Sequence, residues 1–358
     1  MKKIALIFNI IFFSLTYAQD EINIGEKYSF YSQILKENRE YWVYLPPEYE
    51  AQKEKYPVIY LLDGESNFYS LVAIQKAFTK GMYNYMPESV IVGIINTDRT
   101  RDLTPTQSSL KRDGKVFFEN SGGAENFYNF LIEELKQNIE KTYRTNGYNI
   151  IVGHSFGGLF VLNTFVHHSS SFKSYVAIDP SIWWDNKKIY KDAKELLEKK
   201  NLKGFNLFIA MAKKETKAND EHSDAIRLFC TDLLDTSTRN NLRSKWKYYP
   251  EEDHGTVNMP GMYDAFKFIF KGITLPVKKI PQDPNLIEKY YKQLSEQLNF
   301  EFLPSETLIN NLAEYSLSIG EMKAASKIID YNLKNYPGNI VTDKIRAKIE
   351  QSQKENSQ

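Results

Sequence analysis

Short, continuous apolar runs punctuate the first three quarters of the chain, at residues 58–62, 90–95, 149–152, 175–178 and 207–210. A strand covered by helices on both faces needs that composition, because neither face meets water. Between the runs, apolar positions recur at helical spacing, as in residues 124–141, where Phe127, Phe130, Leu131, Leu135 and Ile139 fall on one face. Two aromatic-rich stretches, residues 28–32 and 40–45, precede this region and predict an antiparallel pair of strands ended by Pro46-Pro47. Residues 245–249 predict a last strand. The alternation of buried strand and helix predicts an α/β fold: a mostly parallel, doubly wound sheet with helices on both faces.

Near residues 280–284 the strand pattern stops, and residues 285–350 read as helices only. Residues 309–337, with Ile309, Leu312, Ala325, Ile329 and then Pro337, resemble one tetratricopeptide-type helix pair, without a second copy. A single pair cannot bury its own apolar face. It therefore covers the α/β body, or docks a protein partner or a second copy of the chain. Residues 351–358 are polar enough to predict a loose tail.

The first residues read as an address. Lys2 and Lys3 precede an apolar run over residues 4–15, and Thr16-Tyr17-Ala18 offers small residues two positions apart. That order predicts a secretory signal peptide over residues 1–18, cut after Ala18, and so a periplasmic or secreted protein without a membrane anchor. It leaves residues 19–280 for the α/β domain. Charge adds an exclusion: 46 basic against 45 acidic side chains give a net charge of +1. A nucleic-acid partner would demand a basic surplus that is missing here. One cysteine, Cys230, rules out an internal disulfide and any multi-cysteine metal site, and its apolar surroundings predict a buried small hydrophobe.

Chemistry concentrates at Gly153-His154-Ser155-Phe156-Gly157, a G-x-S-x-G sequence that directly follows the run at 149–152 and precedes a helical stretch at 159–167. A sharp strand-to-helix turn pushes the serine oxygen into an exposed, strained position, and flanking glycines avoid clashes. Ser155 is thus the expected nucleophile. The helix N-terminus and the Phe156 amide face the place where a carbonyl oxygen would turn negative. A second amide is expected from the loop after the strongest strand, at Glu65 in Asp63-Gly64-Glu65.

A serine hydroxyl needs a positioned base. Of five histidines, His154 is expected to be locked in the turn and pointing away. His167 and His168 end the following helix, and His222 is expected in a polar loop. His254, in a loop after the last predicted strand, is the expected base. The acid should follow the strand at 207–210, since the order in this kind of fold is serine, acid, histidine. Glu215 is the nearest carboxylate, with Asp220, Glu221 and Asp224 as alternatives on the same loop. No metal or organic cofactor is needed by such a site.

Five motifs occurring in order carry a resemblance: Leu62-Asp63-Gly64, Arg99-Thr100-Arg101-Asp102-Leu103-Thr104-Pro105, Gly122-Gly123-Ala124-Glu125, Gly153-His154-Ser155-Phe156-Gly157-Gly158, and Asp179-Pro180-Ser181-Ile182-Trp183-Trp184. Over residues 25–275 the chain resembles the bacterial esterase family of α/β-hydrolases that includes the enterochelin (ferric siderophore) esterases and is similar to feruloyl esterases and mycolyltransferases. The resemblance implies an α/β-hydrolase fold, Ser155 as nucleophile and His254 as base. It leaves the acid open, because that is the family's least uniform element. Trp183 and Trp184 are candidates for a wall that stacks an aromatic acyl group. Arg101, with Arg99, is a candidate clamp for an anionic substrate, or else pairs with Asp102. The expected function is a secreted serine esterase acting on a siderophore-type, feruloyl or acetyl ester. An acyltransferase, or a non-catalytic binding protein using its helical tail, are the alternatives.

Overall fold

The computed structural model describes residues 23–112, 115–213, 220–234 and 241–355. The predicted signal segment, residues 1–18, and Glu215 lie outside them.

Eight strands form the central sheet: β1 (Glu26–Ser32), β2 (Glu37–Tyr44), β3 (Tyr56–Leu61), β4 (Val90–Ile94), β5 (Thr145–His154), β6 (Ser174–Ile178), β7 (Asn206–Ala212) and β8 (Arg243–Tyr249). Their spatial order is β1-β2-β4-β3-β5-β6-β7-β8. β1 pairs antiparallel with β2, and β2 antiparallel with β4; every later pairing is parallel. The pattern of apolar runs thus translates into strands, and the two aromatic-rich stretches form the antiparallel edge.

Because side chains alternate across a strand, the runs divide into two cores. Ile59, Leu61, Ile150, Val152, Val176, Ile178, Phe208 and Ala210 face one layer, which holds the helices Gly64–Phe78 and Asn258–Ile269. Val58, Tyr60, Leu62, Ile151, Tyr175, Ala177, Leu207 and Ile209 face the other, which holds the helices Phe156–His167, Trp184–Leu196 and Glu221–Phe229. Cys230 is fully buried in that second layer. The helical stretch predicted over 124–141 runs as Ala124–Asn129, a π turn at Phe130–Leu135, and Lys136–Thr142.

Four C-terminal helices, Leu286–Leu298, Glu306–Ser318, Met322–Asn335 and Ile340–Glu355, add their apolar faces to the first core. Ile287, Tyr291, Leu294 and Leu298 recur at intervals of three and four and are all buried. Phe300 and Phe302 pack edge-on to Tyr148 at the start of β5, with ring centroids 5.2 and 5.0 Å away. The extension therefore covers the sheet's own helical layer. The last helix runs on through Glu355, past the expected loose end at 351: Arg346 pairs with Glu350 and Gln351 with Glu355, one turn apart, which supports a polar helix. No helix among the described residues is long and apolar enough to cross a membrane.

The candidate active site

In a parallel sheet, chain segments leaving the strands' C-terminal ends gather at one edge, and that is where the chemistry collects. Asp63 follows β3, Ser155 follows β5, Asp179 follows β6, Lys213 follows β7, and His254 lies in the turn after β8. Ser155 sits between β5 and the helix Phe156–His167 with φ 59° and ψ −116°, a backbone state that an L-residue adopts only when its surroundings hold it there. Two contacts hold it. The Ser155 N–H donates to the Ile178 carbonyl at 3.0 Å, and the Ser155 carbonyl accepts from Ser181 N–H at 3.1 Å. The flanking glycines are sterically required: a Cβ on Gly153 would lie 2.4 Å from the Gly157 backbone, and one on Gly158 would lie 2.9 Å from Pro180.

The Ser155 Oγ is 3.1 Å from His254 Nε2, and His254 Nδ1 is 2.6 Å from Asp179 Oδ2. A carboxylate only accepts, so Nδ1–H donates to Asp179, and Nε2 is left to accept from the serine hydroxyl. The structure thus brings together the expected nucleophile and base, and it sets against them a carboxylate that sequence reasoning did not consider. Asp179 follows β6, not β7, which was the expected place. Its Oδ2 also accepts from His222 Nε2 at 2.9 Å, and its Oδ1 from Ala212 N–H at 2.9 Å. Burial works to raise the Asp179 pKa, but the hydrogen bonds from His222 and His254 outweigh it and hold the carboxyl well below its usual range.

The alternatives on the loop after β7 do other work. Asp220 caps the helix Glu221–Phe229, accepting from Ser223 N–H at 3.2 Å. Glu221 pairs with Lys187 at 3.2 Å, and Asp224 is exposed on the same helix. His222 belongs to the first turn of that helix, not to a polar loop. His154 does not point away: its Nε2–H donates to the His254 carbonyl at 2.7 Å, and the two rings lie 4.6 Å apart. Burial and the neighbouring His254 push His154 down to about 4, so near neutral pH it is an uncharged donor that pins the backbone of His254.

A cavity of about 310 Å³ opens over these groups, with Ser155, Trp183, Lys213, His222 and His254 in its walls. Trp183 is half-buried there. Trp184 is a core residue, 2% exposed, with its indole N–H donating to Thr106 Oγ1 at 3.0 Å, so only one of the two indoles faces this cavity. Phe156 bridges them, its ring 6.2 Å from Trp183 and 5.3 Å from Trp184. Arg101 is not among the lining residues. It grips Glu37 at 2.6 and 3.0 Å and Asp102 at 2.7 Å, tying the short helix Arg99–Leu103 to β2. Arg99 holds both Asp63 oxygens, at 2.6 and 3.0 Å, and the His154 carbonyl at 3.1 Å. It thereby braces the turn after β3 against the serine turn.

Both expected oxyanion amides lie in first turns of helices, where N–H groups have no partner within the helix. Phe156 opens the helix after Ser155, and Glu65 is the second residue of Gly64–Phe78. A Cβ on Gly157 would lie 3.1 Å from Asp63 Oδ2 and 3.5 Å from Leu62 Cβ, so the two turns lie side by side. Asp179, His222 and His254 each offer one donor atom within 4.8 Å of the others. Metal ligands at 2.0–2.1 Å in a tetrahedron stand roughly 3.3 Å apart. The 2.6 and 2.9 Å separations are instead those of hydrogen bonds.

A strand-order reversal, a serine on a strained strand-to-helix turn and an imidazole facing it define the α/β-hydrolase class. The family model described as "Putative esterase" matches residues 32–259, and the chain belongs to that family. Over 237 residues it is 33% identical to the ferri-bacillibactin esterase BesA of Bacillus subtilis, a match covering 62% of this chain and 81% of that protein. A siderophore enterobactin esterase of Emericella nidulans is 29% identical over 164 residues, 41% of this chain and 54% of that one. Among solved structures, an IroE-like serine hydrolase from Shewanella oneidensis superposes with a TM-score of 0.79 at 32% identity, covering 87% of this chain and 99% of that one.

Proposed function

We propose that this protein is a serine hydrolase of carboxylic esters, and that Ser155, His254 and Asp179 carry the reaction. The single observation that supports it most is the aligned pair of contacts, 3.1 Å from Ser155 Oγ to His254 Nε2 and 2.6 Å from His254 Nδ1 to Asp179. Ser155 attacks the ester carbonyl as His254 takes its proton. Asp179 orients the imidazole and stabilises the imidazolium without taking a proton itself. The Phe156 and Glu65 amides receive the oxyanion. The alcohol leaves with the proton from His254, and water, activated by the same imidazole, then releases the acid from the acyl-enzyme. The relatives' names support a siderophore-type ester as substrate. The half-buried Trp183 beside Ser155 suits an aromatic acyl group such as a catecholate. The charged, apolar and cleavable order of residues 1–18 supports export.

A fluorophosphonate probe followed by peptide mapping tests the assignment. Label on Ser155 is expected, together with turnover of p-nitrophenyl butyrate that Ser155→Ala abolishes. Label elsewhere, or one shared background rate for both proteins, overturns it.

A further inference from the structure

A second and larger cavity, about 510 Å³, lies at the opposite edge of the sheet, where Tyr56 begins β3 and the C-terminal helices meet the α/β body. It shares no lining residue with the cavity over Ser155. Its walls hold carboxylates and amide oxygens alongside tyrosine and serine hydroxyls, and two of the buried acceptors lack a hydrogen-bond partner. Glu54 is 9% exposed; its Oε2 accepts a long bond, 3.4 Å, from Glu306 N–H, while Oε1 is buried without a hydrogen-bond partner. Asn84 Oδ1 is a second buried acceptor without a partner. Glu88 lies in the same wall, and neither glutamate takes part in any ion pair among the described residues. The one basic side chain at the rim, Lys55, is exposed and makes no ion pair with them. Aromatic rings, Tyr291, Phe300, Phe302 and Tyr336, form much of the remaining wall, with Glu301 and Ser305 beside them.

Buried, unpaired carboxylates are costly unless something supplies a cation or a proton. Burial first, and then the charge of Glu88, outweigh hydrogen bonding from Tyr56 and the Glu306 amide and push Glu54 up to about 7; burial and the charge of Glu48 push Glu88 up to about 7. A ligand that repairs this site must bring donors and positive charge, and it must tolerate aromatic faces. Alkylammonium groups satisfy all three conditions, since aromatic rings attract cations through their faces. A bare metal ion fits less well: the sets of three acidic or imidazole groups able to close on one ion, among the described residues, do not include Glu54 or Glu88. The volume lies within the range typical of small-molecule sites.

We propose that this cavity binds an organic ammonium ion, with Glu54 and Glu88 as its counter-charges and the aromatic rings as its walls. The site is independent of the esterase reading. Isothermal titration of the full-length protein with cadaverine tests it, alongside the diol of the same chain length and Mg²⁺. Saturable binding of cadaverine alone is expected, weakened at least about tenfold by Glu54→Gln and by Glu88→Gln and unchanged by Ser155→Ala. Glu88 is less deeply buried than Glu54, so Glu88→Gln keeps the test decisive if Glu54→Gln does not fold. No heat with cadaverine up to about 20 mM overturns the proposal, as does wild-type affinity in both glutamine variants. Preference for Mg²⁺ over the amine overturns it as well, in favour of a metal-ion site.

Discussion

Replacing Asp179 by asparagine separates the acid that faces His254 from the one the chain order predicts. Three donors converge on this carboxylate: His254 Nδ1–H and His222 Nε2–H at Oδ2, and Ala212 N–H at Oδ1. An amide offers one acceptor and one donor in the same space. If its oxygen keeps the Ala212 N–H, its NH₂ group faces both imidazoles, and His254 must move its proton to Nε2, where it can no longer accept from Ser155. If it turns over, the imidazoles are served, but the buried Ala212 N–H loses its partner, at about 1–3 kcal/mol. In either orientation the negative charge that stabilises the imidazolium is gone. Together these losses amount to about 4–5.5 kcal/mol in the transition state, a fall of about 10³–10⁴ in kcat with KM little changed. The assay is initial-rate hydrolysis of p-nitrophenyl butyrate by wild type, Asp179→Asn and Glu215→Gln, with circular dichroism to establish folding. Glu215→Gln should stay within about threefold of wild type, because the Asp179 seat on the imidazole is filled. A folded Asp179→Asn that keeps more than about a tenth of the wild-type rate refutes the reasoning, all the more if Glu215→Gln is the variant that collapses.

Two further outcomes follow from charge and from the chain's first residues. Glu54 and Glu88 titrate near 7 when folded against about 4.3 when unfolded, so between those values the native state binds more protons and stability falls as pH rises, levelling off above about pH 8. Glu54→Gln should remove its share, at most about 4 kcal/mol, and flatten that fall in urea denaturation at pH 5 to 8; an unaltered pH slope contradicts it. If residues 1–18 direct export, N-terminal sequencing of the exported protein begins at Gln19, and an intact Met1 on exported material rules the cut out.

The sheet was legible because buried parallel strands carry their own signature: the apolar runs at 58–62, 149–152, 175–178 and 207–210 all lie within or overlap observed strands, displaced by at most a few residues. Ser155 and its glycines were legible for the same reason, since the turn's geometry permits few residue types. What escaped was the information held between elements. His154 was expected to be locked in the turn and to point away, yet its ring reaches across to a carbonyl one hundred positions later. Asp179 stood in the sequence as the residue that ends a buried strand just before a proline, a place where a charge is expensive unless something receives it. The expected place was one strand further on, although the order serine, acid, histidine is met by Asp179 as well. Adjacency decides otherwise: β6 is the strand hydrogen-bonded to β5, Ile178 sits opposite His154 in their register, and the Ile178 carbonyl accepts the Ser155 N–H. The residue after Ile178 therefore emerges beside the serine turn before any loop has to be placed. Here the carboxylate that ends the strand next to the nucleophile's is the one that faces His254.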